Sequence, residues 1–485
     1  MRPRSSVSEV ARRSATPRGD WLGAARSATS PLRFTTAASA TRTSHAGITD
    51  IANADANKNK SRRMTPIMAQ SASKVHIDSA NVRGDYGAVG PHSVRIELML
   101  PETTETANSI ATREPRSAYI HVPFCRHRCG YCNFTLVAGR DDLIGDYLRA
   151  IKLELAQLAT PREVDTLYFG GGTPTHLAPD QFRALSETVL HWHPLAGGYE
   201  WTVEANPADV TTEMFDVFRD LGVTRLSLGG QSFRDEKLRL LERDHLPADV
   251  SRAVDLARSA GMHVALDLIF ATPGETLDQW LADVNAAITL APDHVSTYGL
   301  TFEQGTAFWT RRLHGELASV DEELERDMYA VVIDRLTAAG FEHYEVSNFA
   351  RPGRRSHHNQ AYWSGQGYFA AGPGAARYVN GVRETNHRST TTYLHRVLSD
   401  ESPVADREQL DPESRAREFL VFALRRLEGI SRTEFTAQTG YDLDKLIVAP
   451  LQNFTSLGLL EAEGDRVRLT REGLFVSDAM WPEML

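Results

Sequence analysis

The chain has 485 residues, of which 41% are hydrophobic and 24% charged, and its formal net charge is −10. That length indicates about two or three domains, and the negative charge argues against a general nucleic-acid binder. The sequence contains no uninterrupted apolar run of about 18 residues, so it predicts no membrane span.

The N-terminal region differs in composition from the rest of the chain. Residues 1–50 contain eight Arg, no Lys and three acidic residues, and they are rich in Ser, Thr and Ala. This is typical of a transit peptide, so residues 1–60 could direct the protein to a mitochondrion or plastid. The alternative is a cytoplasmic protein with a disordered extension, or one whose true start is Met64 or Met68. We expect residues 1–115 to form an N-terminal extension.

Short apolar strands alternate with amphipathic helices from Tyr119 onward. The predicted strands are 118–122, 166–170, 201–205, 225–229, 264–270 and 294–300. Apolar residues recur every three or four positions between them, which predicts helices over 146–159, 212–222, 249–261 and 277–291. The alternation predicts an α/β fold with six βα units over 116–315, forming all or part of a TIM-type barrel. Such barrels carry their chemistry at the C-terminal ends of the strands.

All three cysteines of the chain lie in the stretch "HVPFCRHRCGYCNF". Cys125, Cys129 and Cys132 follow the first predicted strand, at the predicted functional face. Their odd number and close spacing argue against a disulfide framework and favour a reducing compartment. Three thiolates can hold an iron–sulfur cluster and leave one iron without a protein ligand. A Cys3His zinc site with His121 or His127 as fourth ligand is the alternative.

Basic residues fill the gap between the first two cysteines. Arg126, His127 and Arg128 should favour thiolate over thiol. They could also attract an acidic electron donor, such as a flavodoxin-like protein. A solvated basic loop is the alternative.

The spacing C-x3-C-x2-C resembles the signature of the radical S-adenosylmethionine (SAM) superfamily. Together with "YFGGGTPT", "VEANP", "RLSLGGQSF", "DLIFATPGET" and "YEVSNFARPG", it makes the chain from Tyr119 onward resemble the HemN/HemW group. That group contains oxygen-independent coproporphyrinogen III oxidase and haem chaperones. The resemblance implies a partial (β/α)6 barrel with a [4Fe-4S] cluster on the three cysteines and SAM at its open iron.

The resemblance also implies a set of residues around SAM. Tyr119 and Tyr131 would border the bound SAM, and Gly171, Gly172 and Thr173 would let the backbone approach its amino-acid group. Glu204 would face the ammonium group of SAM, and Asp267 would bind its ribose hydroxyls. Gln231 and Arg243 would make further polar contacts. Hydrogen bonds or salt links that only stabilise the fold are the alternative for these polar residues.

Two features distinguish the branches of the group. The oxidase pattern has a fourth cysteine two residues after the third, whereas this chain has Phe134 there, as HemW-type proteins do. The chain also carries the HemW-type motif H-N-x-x-Y-W, as His358, Asn359, Tyr362 and Trp363. The resemblance therefore implies a chaperone that carries haem to haem-requiring apo-proteins, with the coproporphyrinogen III oxidase as the alternative.

His358 is a candidate haem ligand, because imidazole is a common protein ligand of haem iron. We expect an exposed imidazole on a flat, partly exposed porphyrin platform, with His357 as a substitute ligand. A loop fixed by hydrogen bonds is the alternative. Ala376, in "GPGAAR", departs from a tendency of the group toward His.

The remaining sequence divides into two parts. Residues 316–405 are predicted to complete the barrel and carry the porphyrin site. Residues 406–485 are predicted to form a smaller α+β domain of winged-helix type, with helices over 411–429, "SRTEFTAQTG" and "DLDKLIVAPLQNFTSLG", and a hairpin turning at Gly464 and Asp465. The last of these helices is poor in Arg and Lys, so no nucleic-acid partner is predicted.

Overall fold

The computed structural model describes residues 114–485, so the predicted extension or transit peptide lies almost wholly outside the described residues. A nine-stranded sheet forms the centre of the fold. Its strands, numbered here in chain order, are β1 Ser117–Val122, β2 Val164–Gly171, β3 Leu195–Ala205, β4 Arg225–Gln231, β5 His263–Phe270, β6 His294–Gly299, β7 Glu342–Glu345, β8 Asn348–Ala350 and β9 Phe369–Ala371.

The strand order is β9-β1-β2-β3-β4-β5-β6-β8-β7. Neighbours are parallel from β9 to β6, and β8 pairs antiparallel with both β6 and β7. The sheet is therefore an open, partial barrel, which confirms the predicted fold class. β1 to β6 are the six predicted strands, and the parallel strand β9 on the other side of β1 was not predicted.

Amphipathic helices cover the outer face of the sheet. They span Ile144–Ala156, Pro179–Trp192, Thr212–Leu221, Pro247–Ser259, Leu277–Leu290 and Glu322–Ala338. In the helix Thr212–Leu221, the hydroxyl of Thr211 accepts a hydrogen bond from the N–H of Met214, and Gly222 ends the helix with a φ of 86°. Its apolar face is buried in the main core, as the three- and four-residue spacing predicts.

Shorter elements join and flank these units. The short helices are Asp235–Leu240, Ala307–Leu313, His357–Trp363 and Thr390–Leu398, with 3-10 turns at Asp141–Leu143 and Pro174–His176. A two-stranded pair joins Phe124–Cys125 to Val137–Ala138, and a three-stranded sheet contains Ala376–Val379, Val382–Asn386 and Val404–Glu408.

The C-terminal region has its own hydrophobic cluster, which includes Phe419, Phe435 and Trp481. Its elements are the helices Pro412–Arg425, Arg432–Thr439, Leu443–Leu446, Val448–Ser456 and Arg471–Met484 and the strands Ile430–Ser431, Leu460–Glu461 and Arg466–Leu469. The winged-helix arrangement is as predicted, with two differences. One predicted helix is split at Ile447, whose φ of −125° is not helical, and the last helix was not predicted. Within 114–485, no helix is long and apolar enough to cross a bilayer.

Candidate cofactor cavity

A cavity of about 260 Å³ lies inside the partial barrel. Its walls include Cys125, Cys129 and Cys132 near the C-terminal ends of the parallel strands. It extends inward to residues at the N-terminal ends of other strands, among them Arg225 and His294. The three cysteines therefore line one common cavity, as the order of strands and loops predicts.

The cysteine loop is held in shape by its own hydrogen bonds. The N–H of Cys132 donates to the carbonyl of Cys129 over 3.0 Å, which closes a tight turn. The guanidinium of Arg128 donates to the carbonyl oxygens of Cys132, Phe134 and Leu136, at 3.3, 3.4 and 2.6 Å. The sequence identified this arginine only as a positive charge, and the structure shows it organising the backbone of the loop.

Burial outweighs the expected effect of the basic residues on two of the thiols. Burial raises the pKa of Cys125 to about 12, although the hydroxyl of Thr173, 3.2 Å from its Sγ, opposes the shift. Burial also raises the pKa of Cys132. The charges of Arg128 and Arg243 oppose the shift of Cys132 without cancelling it, and Arg126 forms an ion pair with Asp209 over 2.6 Å. A bound metal ion deprotonates a coordinating thiol outright, so cluster binding would ionise these groups.

The residues fit an iron–sulfur cluster better than a zinc ion. Both ring nitrogens of His121 are hydrogen-bonded, to the hydroxyl of Tyr119 and the carbonyl of Thr135. His127 is half exposed, with Nε2 4.0 Å from Glu242. Within the described chain, no three His, Cys, Asp or Glu side chains converge closely enough to hold a single ion. A cluster supplies a separate iron for each thiolate, so it does not require the three sulfurs to meet at one point.

The glycine loop after β2 packs against the cysteine loop. The N–H groups of Gly172 and Thr173 donate to the carbonyls of Val122 and Phe124, both over 2.8 Å. A Cβ on Gly172 would lie 2.7 Å from the carbonyl oxygen of Phe124 and 2.9 Å from the carbonyl carbon of Pro123. The glycine is thus required by close packing of two backbone segments, a reason that the sequence did not reveal.

We expect Gly172→Ala to lower the free energy of unfolding by about 1–3 kcal/mol, because the backbone beside it cannot move away cheaply. Denaturant unfolding of the cofactor-free protein measures this. Gly197→Ala is the control, since nothing lies within 4 Å of a Cβ there. Equal losses for the two variants would contradict the packing explanation.

Two partly buried carboxylates lie on the cavity wall. Glu204 accepts hydrogen bonds from the hydroxyl of Tyr168 over 2.8 Å and from the N–H of Gly171 over 2.9 Å. Burial nevertheless raises the pKa of Glu204 to about 7 and that of Asp267 to about 6. Within residues 114–485 neither has an ion pair with a Lys or Arg, so each offers a charge that a bound cation could compensate.

Of the other predicted cofactor residues, six line the cavity and one is buried behind its wall. Tyr131, Gly171, Gly172, Thr173, Gln231 and Arg243 line the cavity with the two carboxylates. The Arg243 guanidinium contacts Cys129, with 3.5 Å between Nη1 and Sγ. Tyr119 is buried behind Tyr168, on which its ring stacks with centroids 6.0 Å apart, and it does not line the cavity. Its predicted contact with SAM therefore has no support in the cavity lining.

Several polar lining residues were missed, and three of them lie beside the two carboxylates or on neighbouring strands. Tyr168, Ser227 and Ser296 line the cavity, and the first two donate hydrogen bonds to Glu204 and Asp267. Each lies inside an apolar predicted strand, so an isolated polar side chain in a buried strand was the available signal.

The H-N-x-x-Y-W motif lies at the opposite end of the barrel from the cysteines. It forms the short helix His357–Trp363, and the N–H of His358 donates to Glu200 over 3.1 Å. His358 also contacts Thr166, near the N-terminal end of β2. Asn359 lines the inner end of the cavity.

The expectation of an exposed imidazole on a porphyrin platform is wrong. His358 is only 1% exposed, and its Nδ1 and Nε2 are 2.9 Å from the hydroxyls of Thr166 and Tyr362. Its ring stacks on Tyr168 with centroids 5.0 Å apart, and Trp363 is also buried. In this conformation the motif closes the barrel and leaves no free nitrogen on His358.

Comparisons with known proteins agree with this architecture. Residues 119–287 match the Radical SAM superfamily, and residues 410–476 match the HemN C-terminal domain. The fold resembles the solved structure of coproporphyrinogen III oxidase (HemN) from Escherichia coli, with a TM-score of 0.69, 21% identity, and coverage of 77% of this chain and 91% of that one. At that identity the likeness shows the fold alone.

Sequence relatives place the chain more narrowly. It is 34% identical to the haem chaperone HemW of Bacillus subtilis, over 76% of this chain and 99% of the relative. It is 38% identical to the haem chaperone HemW of Mycobacterium tuberculosis, over 76% of this chain and 94% of the relative. The similarity covers nearly the whole length of these relatives, and the chain belongs to the HemW family of radical SAM proteins.

Proposed function

We propose that this protein is a haem chaperone that holds a [4Fe-4S] cluster on Cys125, Cys129 and Cys132, binds SAM beside it, and delivers haem to apo-enzymes. The observation that carries the proposal is that three thiols and two unpaired carboxylates line one cavity. Cluster and SAM together supply one-electron reductive chemistry when bound.

The residues of the chain have distinct roles in this proposal. Glu204 faces the amino group of SAM and Asp267 its ribose, because both carboxylates accept hydrogen bonds and lack a cationic partner. Gln231 and Arg243 make polar contacts beside Cys129, and Tyr131 covers the bound molecule. Gly171, Gly172 and Thr173 fix the facing loop.

The chaperone is favoured over the oxidase by Phe134. It is 38% exposed and lines the cavity at the position where the oxidase pattern has its fourth cysteine. The curated relatives that match nearly end to end are named haem chaperones, which supports the same branch.

The test is to reconstitute the protein anaerobically and measure haem binding, haem transfer to an apo-haem protein and coproporphyrinogen III decarboxylation side by side. We expect binding and transfer without decarboxylation. Robust formation of protoporphyrinogen IX by the purified protein would overturn the assignment.

His358 remains our proposed haem ligand, provided that its side chain leaves Tyr362. Tyr362→Phe should then raise haem affinity by severalfold, because it removes the hydroxyl that occupies Nε2. His358→Ala should change the haem absorption spectrum, and the exposed neighbour His357 provides the matched control as His357→Ala. A spectrum unchanged by His358→Ala would move the ligand elsewhere.

We also propose that an acidic, flavodoxin-like donor delivers electrons near the basic part of the cysteine loop. Arg126 and His127 are exposed there.

The cellular location of the protein tests the transit-peptide prediction for residues 1–60. The experiment compares a fluorescent fusion of the full chain with a fusion that lacks residues 1–60.

A further inference from the structure

A buried charged cluster lies behind the loops that follow β4 and β5. Lys237 Nζ is 2.5 Å from Glu275 Oε1 and 3.1 Å from Asp283 Oδ2, and it lies 5.0 Å from the centroid of the Trp280 ring. Lys237 and Glu275 are 3% and 4% exposed, and Asp283 is fully buried. None of the three lines the cofactor cavity. Burying charged side chains costs free energy. The hydrogen bonds of this cluster show which backbone segments it holds in place.

The hydrogen bonds of this cluster end on the two loops. Asp283 accepts from the N–H of Phe233 over 2.7 Å and from the hydroxyl of Ser232 over 2.7 and 2.9 Å. Glu275 accepts from the N–H and the hydroxyl of Thr272, over 3.1 and 3.0 Å. Lys237 therefore joins the loop after β4 to the loop after β5.

The backbone just before Ser232 has an unusual conformation. The pairing of β4 with β5 shifts register between Leu228 and Gln231, which marks a bulge. Gln231 has a φ of 63°, in the left-handed region that residues other than glycine rarely adopt. Such a conformation persists only where the surrounding structure enforces it, and bulges often redirect a side chain next to a functional site. Here the side chain that lines the cavity is that of Gln231.

Gln231 and Arg243 lie together above Gly229. A Cβ on Gly229 would be 3.0 Å from Gln231 Nε2 and 3.4 Å from Arg243 Nη2. The same Arg243 nitrogen donates to the carbonyl of Gly229 over 2.9 Å. Arg243 follows the short helix that carries Lys237, and its N–H donates to the carbonyl of Leu238. The charged cluster thus fixes the segment that carries both polar side chains.

We propose that Asp283 and Lys237 are positioning residues of the SAM site, which hold the β4 bulge so that Gln231 and Arg243 face the cofactor. The inference rests on the proposed function, because it assumes that SAM occupies the cavity. Neither residue touches the cavity, and each acts through the backbone of residues 231–243.

The test measures SAM affinity by equilibrium dialysis on the anaerobically reconstituted protein, with thermal unfolding of the same samples. Asp283→Asn keeps the shape of the side chain but places an amide near Lys237, and we expect SAM binding to weaken tenfold or more. Ser232→Ala removes only the hydroxyl that donates to Asp283, so it is a milder variant that adds no unpaired buried charge. We expect a smaller loss in the same direction.

A double-mutant cycle with Gln231→Ala separates positioning from general stability. If Asp283 acts through Gln231, the double variant should lose much less affinity than the two single losses multiplied. Arg383→Met is the control, because it breaks a buried ion pair with Glu418, 2.8 Å long, between residues that do not line the cavity. It should lower the melting temperature without changing SAM affinity.

The possible failures are distinguishable. A parent protein that holds its cluster but binds no SAM would overturn the proposed function. A parent that binds SAM while Asp283→Asn and Ser232→Ala bind it equally well would overturn only the positioning role. Fully multiplicative losses in the cycle would overturn the part of that role that acts through Gln231, since they would show that Asp283 and Gln231 act independently.

Discussion

Replacing Cys125, Cys129 or Cys132 by Ala is expected to abolish the cluster. The parent protein, reconstituted anaerobically, should be brown and contain about four irons and four sulfides per chain. Each variant should retain well under one iron, because no fourth cysteine exists in the chain to replace the lost thiolate. Iron and sulfide analysis with visible absorption measures both quantities.

His127→Ala is the matched control for this experiment. His127 lies between the first two cysteines, is half exposed, and was the candidate fourth ligand of the alternative zinc site. We expect it to keep its full iron content. One zinc per chain without iron in the parent, lost in His127→Ala, would show instead that the three cysteines form a zinc site.

The sheet could be predicted from the sequence where its strands are long and buried. β1 to β6 are apolar runs separated by amphipathic helices, and hydrophobic burial on both faces makes such strands easy to recognise. β9 has only three residues, Phe369–Ala371, and its pairing with β1 joins residues about 250 positions apart in the chain. Local sequence contains no information on such a partner, so the completed edge of the barrel was missed.

The sequence predicted which residues share the cavity, but it did not predict the burial of the H-N-x-x-Y-W helix. The rule that parallel strands end at one face placed the cysteines with Glu204 and Asp267, and all of them line one cavity. No such rule applied to the H-N-x-x-Y-W helix, because its position depends on the long-range contact of His358 with Glu200. The burial of this helix at the far end of the barrel could not be inferred from the amino acids of the motif alone.

The pKa values of the cysteines show a similar limit. Neighbouring arginines are visible in the sequence, whereas the desolvation that raises the pKa of Cys125 depends on the folded cavity. The ion pair that engages Arg126 is made with Asp209, more than 80 residues away. The charge of Arg128 acts on Cys132 in the direction that the sequence predicts, but burial outweighs it, and only the folded structure reveals that burial.

Glu204→Gln is expected to abolish most of the pH dependence of SAM binding. The pKa of Glu204 is raised to about 7 by burial, so in the cofactor-free protein this carboxyl takes up a proton as the pH falls from 8 to 6. SAM should prefer the ionised form, because its amino group is the proposed partner. Affinity should fall by about tenfold across this range. In Glu204→Gln, affinity should be low throughout, and only the titrations of Asp267, around pH 6, and of the ligand's own amino group should remain.

Glu204→Gln should weaken SAM binding, but it should stabilise the folded, cofactor-free protein at pH 8. A carboxyl whose pKa is raised on folding lowers the free energy of unfolding when it is ionised. For Glu204 this penalty is absent below its unfolded pKa, 4.5, and fully present above about 7. At pH 8 that penalty is about 3 kcal/mol. Glutamine removes it, at a cost of about 1 kcal/mol for a lost acceptor opposite Tyr168 or Gly171. The cofactor-free variant should therefore be more stable than the parent at pH 8 and no more stable at pH 4.

Glu154→Gln is the control that decides between a role in binding and a general effect of buried charge. Glu154 is also buried with a raised pKa, but it bonds to Tyr393, Asn386 and Gly372 and does not line the cavity. Its substitution should leave the pH profile of SAM binding like that of the parent. If Glu204→Gln keeps the parent's profile as well, the carboxylate does not face the amino group of SAM. Asp267, with a pKa of about 6, would then be the remaining candidate, and Asp267→Asn should flatten the profile around pH 6.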